Sequence, residues 1–185
     1  MNFTKIIRAL PALFLFACGS KTELVQISTP KGDIWFRFHS HTPRHREAFI
    51  NLAKQKYWDS LSFNRVIPDF VAQGGCPDTP EGFGNSPYLL NPEFHDSLRH
   101  VYGAVGAGRD ENPAMQSAVC QFYIVQNKKG LPRLDGKYTV FGQVVRGMEV
   151  VDEICRSPRD KADMPLTRIP VVIRVKKIRN VWEAL

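Results

Sequence analysis

The chain has 185 residues, 43% of them hydrophobic and 23% charged, which is enough for one globular domain with a sizeable core and too little for a second full domain. Its formal charge of +7 is spread over separate segments, among them Arg44, Arg46, Lys54, Lys56, Lys128, Lys129, Arg174, Lys176, Lys177 and Arg179. No stripe with interleaved aromatics results, so the cations read as solvated surface and exclude a nucleic-acid partner.

The first residues differ in kind from the rest. Lys5 and Arg8 precede an apolar run from Ala9 to Ala17 that ends Leu15-Phe16-Ala17-Cys18. A positive start, a short apolar stretch and a small residue before a cut are the parts of an export signal, and the stretch is too short to span a bilayer as a helix. The ending resembles the bacterial lipobox, which implies a lipoprotein signal peptide over 1–17 and lipidation of Cys18. Loss of Lys5 and Arg8 would lower the charge from +7 to +5. Residues 18–23 then form a polar tether and 24–185 the domain. Such a protein is expected in the bacterial cell envelope, anchored by lipid and facing the periplasm or exterior.

Period-two alternation begins at Leu24-Val25-Gln26-Ile27-Ser28 and resumes at Ile34-Trp35-Phe36-Arg37-Phe38 after a Pro30-Lys31-Gly32-Asp33 turn, which predicts a β-hairpin. Thr42 as N-cap and Pro43 as first helical residue open a helix to about Lys56, with Ala48, Phe49, Leu52 and Ala53 on one face. Strands are expected at Phe63 to Ile67, Phe70 to Gln73, Gln121 to Val125, Tyr138 to Val145 and Val171 to Ile178. A second helix should run from Met148 to Cys155. The Gly- and Pro-rich segment from Cys76 to Arg99 reads as surface loop. Many strands with two helices indicate a mainly β fold, a closed antiparallel barrel capped by the helices. After lipidation three cysteines remain, Cys76, Cys120 and Cys155, without C-x-x-C spacing; one disulfide at most can form, and the sequence leaves the pair open.

The most informative block is Phe63-Asn64-Arg65-Val66-Ile67-Pro68-Asp69-Phe70-Val71-Ala72-Gln73-Gly74-Gly75. Strand geometry puts Phe63 with Arg65 on one side, and Val71 with Gln73 on one side. Gly74-Gly75 is read as a turn, because no helix pattern or G-K-[ST] follows as a phosphate loop requires. Further blocks are Gly106-Ala107-Gly108-Arg109, Gln121-Phe122-Tyr123-Ile124-Val125, and Leu134-Asp135-Gly136-Lys137-Tyr138-Thr139-Val140-Phe141-Gly142-Gln143-Val144 running on to Asp152. In this order they resemble the cyclophilin family of peptidyl-prolyl cis/trans isomerases, from about Leu24 to about Ile178. The resemblance implies an eight-stranded barrel and rotation of X-Pro bonds in client proteins without covalent intermediate, cofactor or metal. It assigns Arg65 as the catalytic donor. Phe70, Val71, Tyr123 and Leu134 would hold the proline ring and Gln73 the substrate carbonyl. Gly108 and Arg109 would present a backbone strip to the residues before proline, with Gln121 lining the groove beside it and Tyr138 at the rim. The chain is expected to act as a monomer on proline-containing segments.

Departures from the family pattern are also instructive. Asn64 stands for a histidine, Val71 for a methionine, Ala107-Gly108 for Met-Ala, and Tyr123 for a phenylalanine, so a hydroxyl at the pocket edge needs a partner or water. Arg133 replaces the tryptophan of many eukaryotic relatives and Tyr138 their histidine. Cyclosporin should therefore bind poorly; tight, submicromolar inhibition would contradict this, and Arg133→Trp should restore part of the affinity. The loop from Asp110 to Ser117 is slightly long for the family. Two alternatives compete: a non-catalytic peptide-binding or chaperone module on the same groove, and a metal site at His39, His41 and His45. The histidines read better as a solvated loop, with Arg44 and Arg46 beside them.

Overall fold

The computed structural model describes residues 22–76 and 86–178. The segment expected to be a signal peptide, Cys18 and residues 179–185 lie outside the described residues. Among the described residues eleven strands occur: β1 (Thr22–Thr29), β2 (Gly32–Phe38), β3 (Ser62–Ile67), β4 (Val71–Gly74), β5 (Leu89–Leu90), β6 (Ala104–Ala107), β7 (Ser117–Ala118), β8 (Phe122–Val125), β9 (Val140–Arg146), β10 (Ile169–Pro170) and β11 (Val172–Ile178). The helices are α1 (Pro43–Lys54) and α2 (Met148–Cys155). Thr22 and Glu23, expected in the tether, pair with Ile178 and Lys177 as part of β1.

Nine of the strands form one antiparallel sheet in the order β10-β3-β4-β8-β6-β9-β2-β1-β11. Its two ends are consecutive in the chain: β10 pairs with β3, β11 pairs with β1, and only Val171 separates them. One bent segment thus bridges both edges, and the sheet becomes the eight-staved barrel expected, which removes the unpaired edges of an open sheet. Val171 is fully buried at the bend and its N–H donates to the Leu61 carbonyl at 3.0 Å.

The interior packs Val25, Ile27, Ile34, Phe36, Phe63, Val105, Phe122, Ile124 and Ile173 with Phe49 and Leu52 of α1 and Val151 and Ile154 of α2. Around Phe49 the rings of Phe36, Trp58, Phe122 and Phe141 lie at 4.3 to 6.1 Å. Edge-to-face and tilted pairs of this kind add to the burial term. Pro43 occupies the first turn of α1 as expected, but Thr42 does not cap it: the Thr42 hydroxyl donates to the His39 carbonyl instead. Glu93, far along the chain, accepts from the N–H groups of Arg44 and His45 in that first turn. The segment read as loop before Arg99 is therefore tied down, by Glu93 and by β5 pairing with β7.

Of the cysteines, Cys76 and Cys120 form a disulfide and Cys155 remains a buried thiol, its pKa raised to about 12 by desolvation. The pairing follows from the β4–β8 ladder. Gly74 faces Phe122, and two residues further along each strand the same register brings Cys76 opposite Cys120.

Candidate functional site

The site is built on the outer face of β3, β4, β8 and β6. Register alone assembles a row across these four neighbours, in which Arg65 faces Gln73, Gln73 faces Tyr123 and Tyr123 faces Gly106. A β-bulge between Phe63 and Arg65 makes this row. Two residues of β3 there oppose one of β4, so Phe63 turns inward against Phe122 while Arg65 turns out. The expectation that Phe63 and Arg65 share a side is thereby corrected. Arg65 Nη1 donates to Gln73 Oε1 at 3.2 Å.

Beside this pair lies a cavity of about 290 Å³ lined by Arg65, Phe70, Val71, Gln73, Gly108, Arg109, Tyr123, Leu134 and Tyr138. Nine of the ten residues expected at the groove are thus together. The exception is Gln121, which is buried behind the wall. A Cβ on Gly108 would sit 2.7 Å from Gln121 Cγ, so glycine is needed for this close approach. The N–H of Gly108 donates to the Gln121 carbonyl and its own carbonyl accepts from Ala118, so the strip residue Gly108 is held from both sides.

The apolar part of the cavity rests on a second cluster outside the barrel, made by Val71, Ala104, Tyr123, Val125, Leu131 and Val140 with Phe70, Leu134 and Tyr138 packed on it. The connection from β8 to β9 supplies Leu131 and Leu134. Two cations lie over aromatic rims: the Arg133 guanidinium is 4.8 Å from the Phe70 ring centre, and that of Arg109 is 4.6 Å from the Tyr138 ring centre. Both arginines leave donors at the groove edge.

Tyr123 does not behave as expected. Its hydroxyl points inward rather than to the pocket edge and bonds His100 Nε2 at 2.8 Å, while His100 Nδ1 bonds Asp135 at 2.7 Å. The carboxylate can only accept, so Nδ1 carries the proton and Nε2 accepts from the tyrosine. Burial lowers the His100 pKa, with Asp135 acting against it, and burial raises that of Tyr123 well above its ordinary value. Burial would raise the Asp135 pKa, but the N–H and ring of His100 outweigh it and the net shift is down. The ring of Tyr123 fits only because residue 106 is glycine: a Cβ there would lie 2.2 Å from Tyr123 Cζ. His100 is 23 residues from Tyr123 and 35 from Asp135, and no local pattern marks it.

Replacing Tyr123 with Phe should leave the ring and the cavity in place but strand His100 Nε2 without a donor. The expected loss is about 1–3 kcal/mol of unfolding free energy, the penalty for an unsatisfied buried polar group. Chemical denaturation reads it directly, and a Tyr123→Phe protein as stable as the wild type would show that the relay contributes nothing.

The three early histidines do not converge. His45 is buried, its Nδ1 2.6 Å from Glu93 and its Nε2 3.2 Å from Ser117, while exposed His41 stacks on His95 at 3.8 Å. The solvated-loop reading is thus corrected for His45, which belongs to the buried face of α1.

The cavity combines an apolar cup with donors at one edge. No carboxylate, imidazole or thiol is among its lining residues. Such a surface can hold a ring and stabilise a change in charge distribution.

Comparison with known proteins agrees with this chemistry. The family described as cyclophilin type peptidyl-prolyl cis-trans isomerase/CLD matches residues 24–177. The chain is 34% identical over 151 residues to peptidyl-prolyl cis-trans isomerase ppi1 of Schizosaccharomyces pombe, covering 80% of this chain and 95% of that one. It is 36% identical over 142 residues to a peptidyl-prolyl cis-trans isomerase of Helicobacter pylori, covering 73% and 82%. A Cryptosporidium parvum cyclophilin type isomerase, crystallised in the presence of the dipeptide Ala-Pro, superposes with a TM-score of 0.73 at 26% identity, over 83% of this chain and 99% of its own. On the match over nearly all of its described length, the chain belongs to the cyclophilin-type peptidyl-prolyl cis-trans isomerases.

Proposed function

We propose that the 290 Å³ cavity is where this isomerase turns X-Pro bonds, with Arg65 as the catalytic donor. The observation that carries the reading is Arg65 held against Gln73 at the edge of an apolar cup. Rotation about the X-Pro bond crosses a barrier of ~18–20 kcal/mol because the amide is conjugated. In the twisted form the prolyl nitrogen regains a lone pair, so a donor aimed at it favours that form over either planar one. The proline ring enters the cup of Phe70, Val71, Tyr123 and Leu134. Gln73 Oε1 accepts from Arg65, which leaves the Gln73 amide N–H free to donate to the substrate carbonyl. Arg109 presents the backbone strip, since Gly108 is engaged inside the protein.

The protein works as a monomer in the bacterial envelope, on exported proteins, tethered through lipid on Cys18. The Leu15-Phe16-Ala17-Cys18 ending supports the tether, and a disulfide between Cys76 and Cys120 supports an oxidising compartment. Cys18→Ser should release the protein from membranes or block its maturation. Fractionation of cells expressing it is the check; normal processing with full membrane retention would refute the anchor.

A further inference from the structure

Cations that are scattered in sequence gather on one face of the barrel. Arg37 of β2, Arg46 of α1 and Lys177 of β11 line a cavity of about 660 Å³ together with Thr22 and Glu23. Adjoining it, Lys54, Lys56 and Arg174 line a second cavity that shares Lys177 and Glu23. Six cations thus line the two cavities with Glu23 as the one lining carboxylate; Glu23 is paired with Arg46 and Lys177, and Arg174 holds Asp59 at 2.7 Å, so the cations outnumber the carboxylates they meet by six to two. The separate-segment reading misses this, because antiparallel pairing and the packing of α1 on β11 bring the segments together.

Two further observations locate the face. The peptide groove occupies β3, β4, β8 and β6, four consecutive staves, whereas the cations sit on β2, β11, α1 and, for Lys56, just past the end of α1, with Glu23 on β1 between them. In a closed ring the centre of one set is opposite the centre of the other. Thr22, at the start of β1, lies within the basic face. Cys18 is four residues upstream in the sequence, so the chain between them can span at most about 14 Å.

We propose that this face docks on the headgroups of anionic phospholipids, and that docking turns the peptide groove away from the bilayer toward clients. The orientation rests on the Cys18 anchor; the attraction for anionic lipid does not. Basic residues close to a negatively charged leaflet gain affinity individually, by about fivefold each. A free anion in solution would satisfy one or two of these cations, whereas a lipid surface offers many headgroups to several of them at once.

The test is co-sedimentation of the domain from residue 19 onward with vesicles of phosphatidylglycerol and phosphatidylcholine in equal parts, against phosphatidylcholine alone. The domain should bind the anionic vesicles only, and salt should release it. Lys54→Glu/Lys56→Glu should lower partitioning by at least about twentyfold. Lys128→Glu/Lys129→Glu, the same charge change on the groove half after β8, should have little effect. Isomerisation by the vesicle-bound domain should match that in solution. Equal loss in both double variants would reduce the effect to net charge, and turnover falling in step with binding would place the groove against the membrane; either overturns the proposal, as would a stronger affinity for duplex DNA than for the vesicles. Failure here with release of Cys18→Ser in cells would remove the docking face and keep the anchor. Vesicle binding with no effect of Cys18→Ser would do the reverse.

Discussion

Arg65→Ala should lower kcat and kcat/KM together by about 10²–10³, the usual cost of removing a donor aimed at charge that develops in the transition state. The fold should be unchanged, because Arg65 lines an open groove, where its guanidinium makes the 3.2 Å contact to Gln73. Peptide affinity should fall less. In the proposed mode the cup of Phe70, Val71, Tyr123 and Leu134 would contact the proline ring in planar and twisted states alike, and loss of such uniform binding raises KM without lowering kcat. The parallel fall of both constants, with a native circular dichroism spectrum, separates the two cases. A folded Arg65→Ala domain with wild-type turnover would remove Arg65 from the mechanism. Arg65→Lys should recover little, because an ammonium cannot hold Gln73 and the prolyl nitrogen with two branches of one planar group.

Replacing both Cys76 and Cys120 with alanine should cost roughly 4 kcal/mol on the loop-entropy account, given the 44-residue separation. Measured values cluster at about 2–4 kcal/mol, still a large share of the roughly 5–15 kcal/mol that holds a domain folded. The bond lies at one end of the β4–β8 pair, whose other residues include Gln73, Tyr123 and Val71. Unfolding in guanidinium should therefore shift to lower concentration, while turnover in the folded protein changes little, since both sulfurs lie outside the cavity lining. Reductant should reproduce the shift in the wild type and leave the double variant unaffected. An unchanged midpoint in the double variant would mean that the ladder alone holds this end of the sheet.

Much of this arrangement is legible in the amino-acid sequence. Arg65, Gln73 and Tyr123 lie in short strand-like runs, which mark each as part of a strand before any pairing is known. Element boundaries fall within one or two residues for both helices and most strands, because Pro43, Gly147 and the turn residues punctuate them. What escapes is whatever depends on which strands are neighbours. The bulge that turns Arg65 outward needs the β3–β4 register. The Cys76–Cys120 choice needs the β4–β8 register, and the burial of the Tyr123 hydroxyl needs His100, brought in by the turn before β6. The burial of Gln121 beside Gly108 likewise follows from a close approach that no spacing announces. The basic face has the same origin, since it joins three segments through the β2–β1–β11 pairing and the packing of α1 on β11.

The most direct test of catalysis over mere binding is exchange spectroscopy by NMR on an Ala-Pro-containing peptide at equilibrium, with the wild-type domain present in substoichiometric amount. Uncatalysed cis/trans exchange takes tens of seconds, too slow for exchange peaks between the two forms. The wild type should produce those peaks at once, and Arg65→Ala should remove them while the peptide still shifts on binding. Binding shifts without exchange peaks in the wild type would contradict the account and leave the groove as a peptide holder.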